Sequence, residues 1–316
     1  MPKVIFLFFD GVGIGRADET NPFYTSTAEY LPFFHGHRPP SNNGHVQVKP
    51  IDAVLGIAGL PTSASGQTTL FTGINIPQIL NQHKGSYPDK FMRKTLLQGN
   101  ILLNLGRKNV NARFLNAYPA HRELFSSRHI AIQEDGEFYF SDQFPRLFRR
   151  RISVTSCMLL STLTPPFDEQ DVREERSIYQ DFSNKSLIEK GLDIPEFSPE
   201  KAGEIIYKAS RSHDFLLYEF FQTDMHGHNA DHQECEQLIS RLDRLLGRLL
   251  SLLDPDEDTV LLTSDHGNLE DNTTRLHTHN PVPLLVWGAG SSQLRSAIDS
   301  IADVTPALVD FFQENK

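Results

Sequence analysis

Residues 3–15 read KVIFLFFDGVGIG, an unbroken apolar run that ends on Asp10 and three alternating glycines. A run with no polar alternation is what a strand buried on both faces requires, and such strands belong to mostly parallel sheets covered by helices. A dinucleotide-binding turn needs its third glycine three residues after the second, where Arg16 stands, and then a helix, for which ADETNPF (17–23) is a poor start. The stretch therefore delivers a carboxylate, Asp10, to the carboxyl end of a buried strand, the edge where such sheets place their ligands. The glycines let the chain turn tightly beside it.

Working outward, DFLLYEFF (214–221), TVLLTS (259–264) and PLLVWG (283–288) repeat the strand signal. Between the first two, Leu238, Leu242, Leu245, Leu249 and Leu252 recur at three- and four-residue spacing, which predicts an amphipathic helix. The series predicts an α/β fold with a doubly wound, mostly parallel sheet. From 80 to 195 the regularity fades into polar sequence with Pro165-Pro166 and DEQDVREER (168–176), predicting a smaller inserted α+β cap domain within a core of 1–79 and 196–316. That segment holds 17 Lys+Arg against 14 Asp+Glu, and the rest 13 against 26. The net charge of −10 argues against general affinity for nucleic acid or anionic membranes. Two distant cysteines and no 18-residue apolar span point to a cytoplasmic protein without a disulfide scaffold.

Chemistry-bearing residues gather at the strand ends. TDMHGHNADH (223–232) places Asp224 and His228 four apart, on one face of a helical turn, with His226 and His232 as alternatives. SDHGNLED (264–271) follows a strand, and LHTHNPVP (276–283) precedes one. Mixed Asp and His ligands suit Zn²⁺ or Mn²⁺ better than Mg²⁺ or Ca²⁺. PTSASGQTTLFTG (61–73) sets hydroxyls at a helix start, where amides and the dipole favour an alkoxide or a phosphorylated oxygen.

Together these motifs resemble the alkaline-phosphatase superfamily of binuclear-metal enzymes, above all the branch holding cofactor-independent phosphoglycerate mutase and phosphopentomutase. SDHGNLED and HTHNPVP are the most specific matches, and the resemblance covers about 1–78 and 195–316. It implies two divalent ions, Mn or Zn, one held by Asp224, His228 and His277 and the other by Asp10, Asp265 and His266. His277 takes the family's His in H-T-x-N-P, and His279 stands where the mutases usually have Thr. The family's S/T-x-x-G implies Ser63, with Gly66, as nucleophile, leaving Thr62 and Ser65 as fallbacks. The implied activity is phosphoryl transfer through a phosphoserine on a small phosphorylated metabolite, phosphomutase-like, with a phosphatase or phosphodiesterase as the alternative. A non-catalytic metal-binding module is the reading from another class.

In the expected cap, FPRLFRRR (144–151) offers Arg146, Arg149, Arg150 and Arg151 to a substrate phosphate or carboxylate. Arg113, His121 and Arg122 are further candidates. FFHGHRPPSNNGH (33–45), with His35, His37 and His45, reads as a surface loop.

Overall fold

The computed structural model describes residues 2–36, 45–119, 122–162 and 164–315. His37 and His121 lie outside them, as does the side chain of Arg122. The strands of the main sheet are β1 (Lys3–Phe9), β2 (Val46–Ile51), β3 (Ala112–Phe114), β6 (Phe215–Phe220), β7 (Asp258–Thr263) and β8 (Val282–Gly288). The remaining two, β4 (Ile130–Ile132) and β5 (Phe138–Phe140), form a separate antiparallel hairpin. The sheet order is β2-β8-β7-β1-β6-β3. Pairing is parallel from β3 through β6 and β1 to β7, then antiparallel from β7 to β8 and β8 to β2.

Alternation along β1 divides the core. Ile5, Leu7 and Phe9 join one cluster with the helices Pro199–Arg211 and His232–Leu252, the second of which carries the predicted leucine stripe. Val4, Phe6 and Phe8 join the other, with the helices Ser63–Thr72, Ile101–Arg107, Val154–Thr162 and Val304–Glu314. Both faces are thus covered, as the unbroken apolar run required. Two strands of the main sheet escaped the sequence pattern. Strand β2 (VQVKPI) is half-exposed and holds a proline, and β3 has three residues at an edge. Residues from the segment 80–195 share this body, since β3 pairs with β6 and helices Lys90–Gln98, Ile101–Arg107 and Val154–Thr162 contribute to the same core cluster. Among the described residues, no helix is long and apolar enough to cross a membrane.

Candidate metal centre

The strand directions decide what meets at the carboxyl edge. Parallel β1, β6 and β7 end there, in register at Phe9–Phe220 and Phe8–Thr263, so Asp10, Asp224 and Asp265-His266 emerge side by side. Antiparallel β8 begins at that edge, which brings His277 to it, and β2 ends there, feeding the segment that leads to Ser63. Asp224 and His228 lie in the helix Gln222–Asn229, on one turn as their spacing predicted. Close approach is built into the glycines. Gly11 has φ +68°, and a Cβ on it would stand 2.6 Å from Asp224 Oδ1. A Cβ on Gly66 would stand 3.0 Å from the Asp265 carbonyl, so the S-x-x-G spacing lets the helix carrying Ser63 lie against that strand end.

Donor atoms of Asp10, Asp265 and His266 lie within 4.8 Å of one another, and so do those of Asp224, His266 and His277. His266, at the middle, is in donor range of both groups: its Nε2 is 3.4 Å from Asp10 Oδ1 and 3.5 Å from Asp265 Oδ2, and its ring stacks on His277 at 3.7 Å. His228 Nε2 lies 3.3 Å from Asp224 Oδ2 and 3.2 Å from His277 Nε2. The Nδ1 atoms of His228 and His277 are committed to the carbonyls of Arg275 and Pro61, both at 2.7 Å, which leaves each Nε2 facing the cluster. That is how ligating histidines are usually oriented. Asp10 Oδ1 and Asp265 Oδ2 are buried with no hydrogen-bond partner. Buried carboxylate oxygens of that kind, set among converging imidazole nitrogens, fit divalent cations.

The charges agree. Burial, then the carboxylates of Asp265 and Asp224, push the Asp10 carboxyl well above its usual range. Burial acts against the charge of Asp224 too, but the hydrogen bond with His228, the nearby His266 and the Asn268 amide outweigh it and hold its carboxyl low. The hydrogen bond to Asp224 raises His228 to about 9, while burial and the neighbouring His266 lower His277.

Ser63 opens its helix with Oγ 3.1 Å from His266 Nε2. Thr62 and Ser65 bond to each other at 3.2 Å, and Ser65 Oγ also accepts the Lys84 N–H. The alternative histidines are engaged elsewhere: His226 with Gln222, His232 with Thr25 and Asn272, His279 with Gly59. Arg149 bonds the carbonyls of Ser141 and Phe144, whereas Arg146, Arg150 and Arg151 are exposed. Among the described residues, no hydrogen bond or ion pair joins these four to the cluster. Arg113 lies over Phe167 and bonds Pro165. The His35 amide bonds Gly15, and the His45 ring lies against Trp287. A cleft of about 1400 Å³ lies within residues 97–173 and shares no lining residue with the cluster.

Sequence reasoning passed over four supporting residues. Glu270 Oε2 accepts the amides of Gly13 and Asn268, both at 2.8 Å, and its Oε1 accepts Thr278 Oγ1 and Asn280 Nδ2. Asn268 donates to Asp224 Oδ1 and Gln67 to Asp10 Oδ2. Glu219, buried on β6, accepts the Thr155 hydroxyl, and burial raises its carboxyl to about 7. Glu270 and Asn268 stand inside SDHGNLED, a signal that was present, whereas Glu219 is one polar letter within an apolar run.

A sequence profile of the Metalloenzyme superfamily matches residues 179–316. The 2,3-bisphosphoglycerate-independent phosphoglycerate mutase of Methanopyrus kandleri is 31% identical over 127 residues, covering 37% of this chain and 29% of that protein. The enzyme of the same name from Nitrosococcus oceani is 32% identical over 124 residues, covering 36% of this chain and 24% of that protein. The matched stretch thus spans less than a third of either relative. Among solved structures, alkaline phosphatase from the Antarctic bacterium TAB5 superposes with a TM-score of 0.53 at 13% identity, over 100% of both chains, a likeness of fold.

Proposed function

We propose that this chain, whose residues 179–316 match the Metalloenzyme superfamily, is an enzyme of the alkaline-phosphatase superfamily that transfers phosphoryl groups through a phosphorylated Ser63, acting on a small phosphorylated metabolite in the manner of a phosphomutase. Asp224, His228 and His277 would hold one divalent ion and Asp10, Asp265 and His266 the other, as Mn or Zn. Bound there, such ions lower the pKa of a coordinated hydroxyl and neutralise phosphoryl charge. The observation that carries the reading is Ser63 Oγ, 3.1 Å from His266 at a helix N-terminus, beside two orphaned carboxylate oxygens. The Ser63 oxygen takes the phosphoryl group and gives up its proton as the ester oxygen leaves and is protonated, at the positive end of the helix that Ser63 opens. A second acceptor then regenerates the serine. In a mutase that acceptor is another hydroxyl of the same substrate.

A phosphatase, with water as the second acceptor, is the other reading. The disposition of the arginines of 144–151 favours it, because a mutase has to grip its substrate between two transfers, whereas Arg149 is spent on the carbonyls of Ser141 and Phe144 and the other three are exposed. The test is a screen of phosphorylated metabolites with Mn²⁺ or Zn²⁺, measuring phosphate release and isomerised product separately. Isomerisation without release establishes the mutase. Release alone establishes the phosphatase, and full activity in protein stripped of metal refutes both.

A further inference from the structure

The segment 54–61 leads from β2 to Ser63 and, among the described residues, pairs with no strand. Leu55, Gly56 and Gly59 adopt left-handed backbone, and among the described residues the only main-chain bond within 54–61 runs from Ile57 N–H to the Val54 carbonyl. Every second carbonyl is instead bonded by a side chain from elsewhere. Asn75 Nδ2 bonds Leu55 at 3.3 Å, His83 Nε2 bonds Ile57 at 3.3 Å, His279 Nε2 bonds Gly59 at 3.1 Å, and His277 Nδ1 bonds Pro61 at 2.7 Å. We propose that His83 and His279 are positioning residues for phosphoryl transfer at Ser63, fixing segment 54–61 so that Pro61 stays on His277 and the Ser63 oxygen on His266. This rests on the function proposed above.

The chemistry suits the task. Burial lowers His83 and so favours the neutral ring, and its Nε2 lies 3.3 Å from the Ile57 carbonyl, within reach for an N–H donor. Imidazole is rigid past two torsions, so it holds a carbonyl with less freedom to lose than a lysine or arginine. The rungs come from two directions, Asn75 and His83 after the nucleophile helix and His277 and His279 ahead of β8, so the segment is clasped between the parts that carry Ser63 and the metal ligands. An error of about 1 Å in a nucleophile's placement can cost about 100-fold in rate, which is the leverage such a clasp has.

The test is a double variant, His83→Phe with His279→Phe, which keeps the rings and removes the donors, set beside His83→Gln with His279→Gln, whose amides can donate again. Three readings are taken on full-length metal-loaded protein: hydrogen exchange of residues 52–61, the single-turnover rate of phosphoenzyme formation from an aryl phosphate, and metal content. In the Phe variant, exchange should accelerate about tenfold or more and phosphorylation slow about tenfold or more with metal content unchanged, and the Gln variant should recover most of both. Unaltered exchange, or faster exchange with an unchanged phosphorylation rate, overturns the positioning role, as does failure of Gln to rescue. A parent protein that forms no phosphoenzyme overturns the functional reading instead, and the exchange arm still decides whether the two histidines hold the segment.

Discussion

Replacing Glu270 by alanine should unfold the centre's support. Its carboxylate binds three loops together, the Gly13 amide after β1, the Asn268 amide after β7, and the Thr278 and Asn280 side chains before β8. In Glu270→Ala all four donors lose their acceptor, and the two amides are buried. Each buried donor left unpaired costs about 1–3 kcal/mol. Allowing for water entering the space left behind, the loss is about 4 kcal/mol. With a urea m-value of about 3 kcal/mol/M for a chain of this size, the unfolding midpoint should fall by about 1.3 M. Glu270→Gln keeps acceptance on one side and turns an amide against the two backbone N–H groups on the other, for about half that loss. Because Asp10 and His266 sit on the loops so joined, metal affinity should also fall about 10- to 100-fold. The assay is urea unfolding followed by circular dichroism, in chelator and with metal. A midpoint moved by less than about 0.3 M in Glu270→Ala would mean that this carboxylate does not brace the three loops.

Ser63→Ala should abolish phosphoenzyme formation and lower turnover by about 10³-fold or more while metal stays bound. Thr62→Ala and Ser65→Ala should both still form it, as acid quench and mass spectrometry would reveal. In metal-free protein, Glu219 should make stability fall as pH rises. Its folded carboxyl, near 7, lies above the unfolded value, so the unfolded chain sheds its proton first, and stability present at pH 4 is lost between about 4.5 and 7. Glu219→Gln should therefore gain about 3 kcal/mol over the parent at pH 8 and little at pH 4, and equal midpoints at both pH values would exclude this. Gly11→Ala places a Cβ against Asp224 on left-handed backbone and should cost about 2–3 kcal/mol together with bound metal, read by thermal unfolding and elemental analysis.

By itself the sequence determined what local patterns encode. The run Val4–Phe9 could only be a strand covered on both sides, the leucine stripe could only be a helix against it, and Asp224 with His228 had to share a helical face. The end of that run supplied Asp10, and the motifs SDHGNLED and HTHNPVP supplied the remaining ligand candidates. Which donors meet was decided by tertiary structure, because the contacts join residues far apart in the chain: Ser63 to His266, Asp10 to His266, Glu270 to Gly13. The reversal of β8 and its pairing with β2 bring His277 and Ser63 to one edge, and pairing of that kind leaves no periodic trace in VQVKPI. The arginines of 144–151 show the converse. Their charge was plain in the sequence, but where a long, flexible side chain ends depends on which carbonyls and rings the fold sets beside it, and for Arg149 those are Ser141, Phe144 and Phe140.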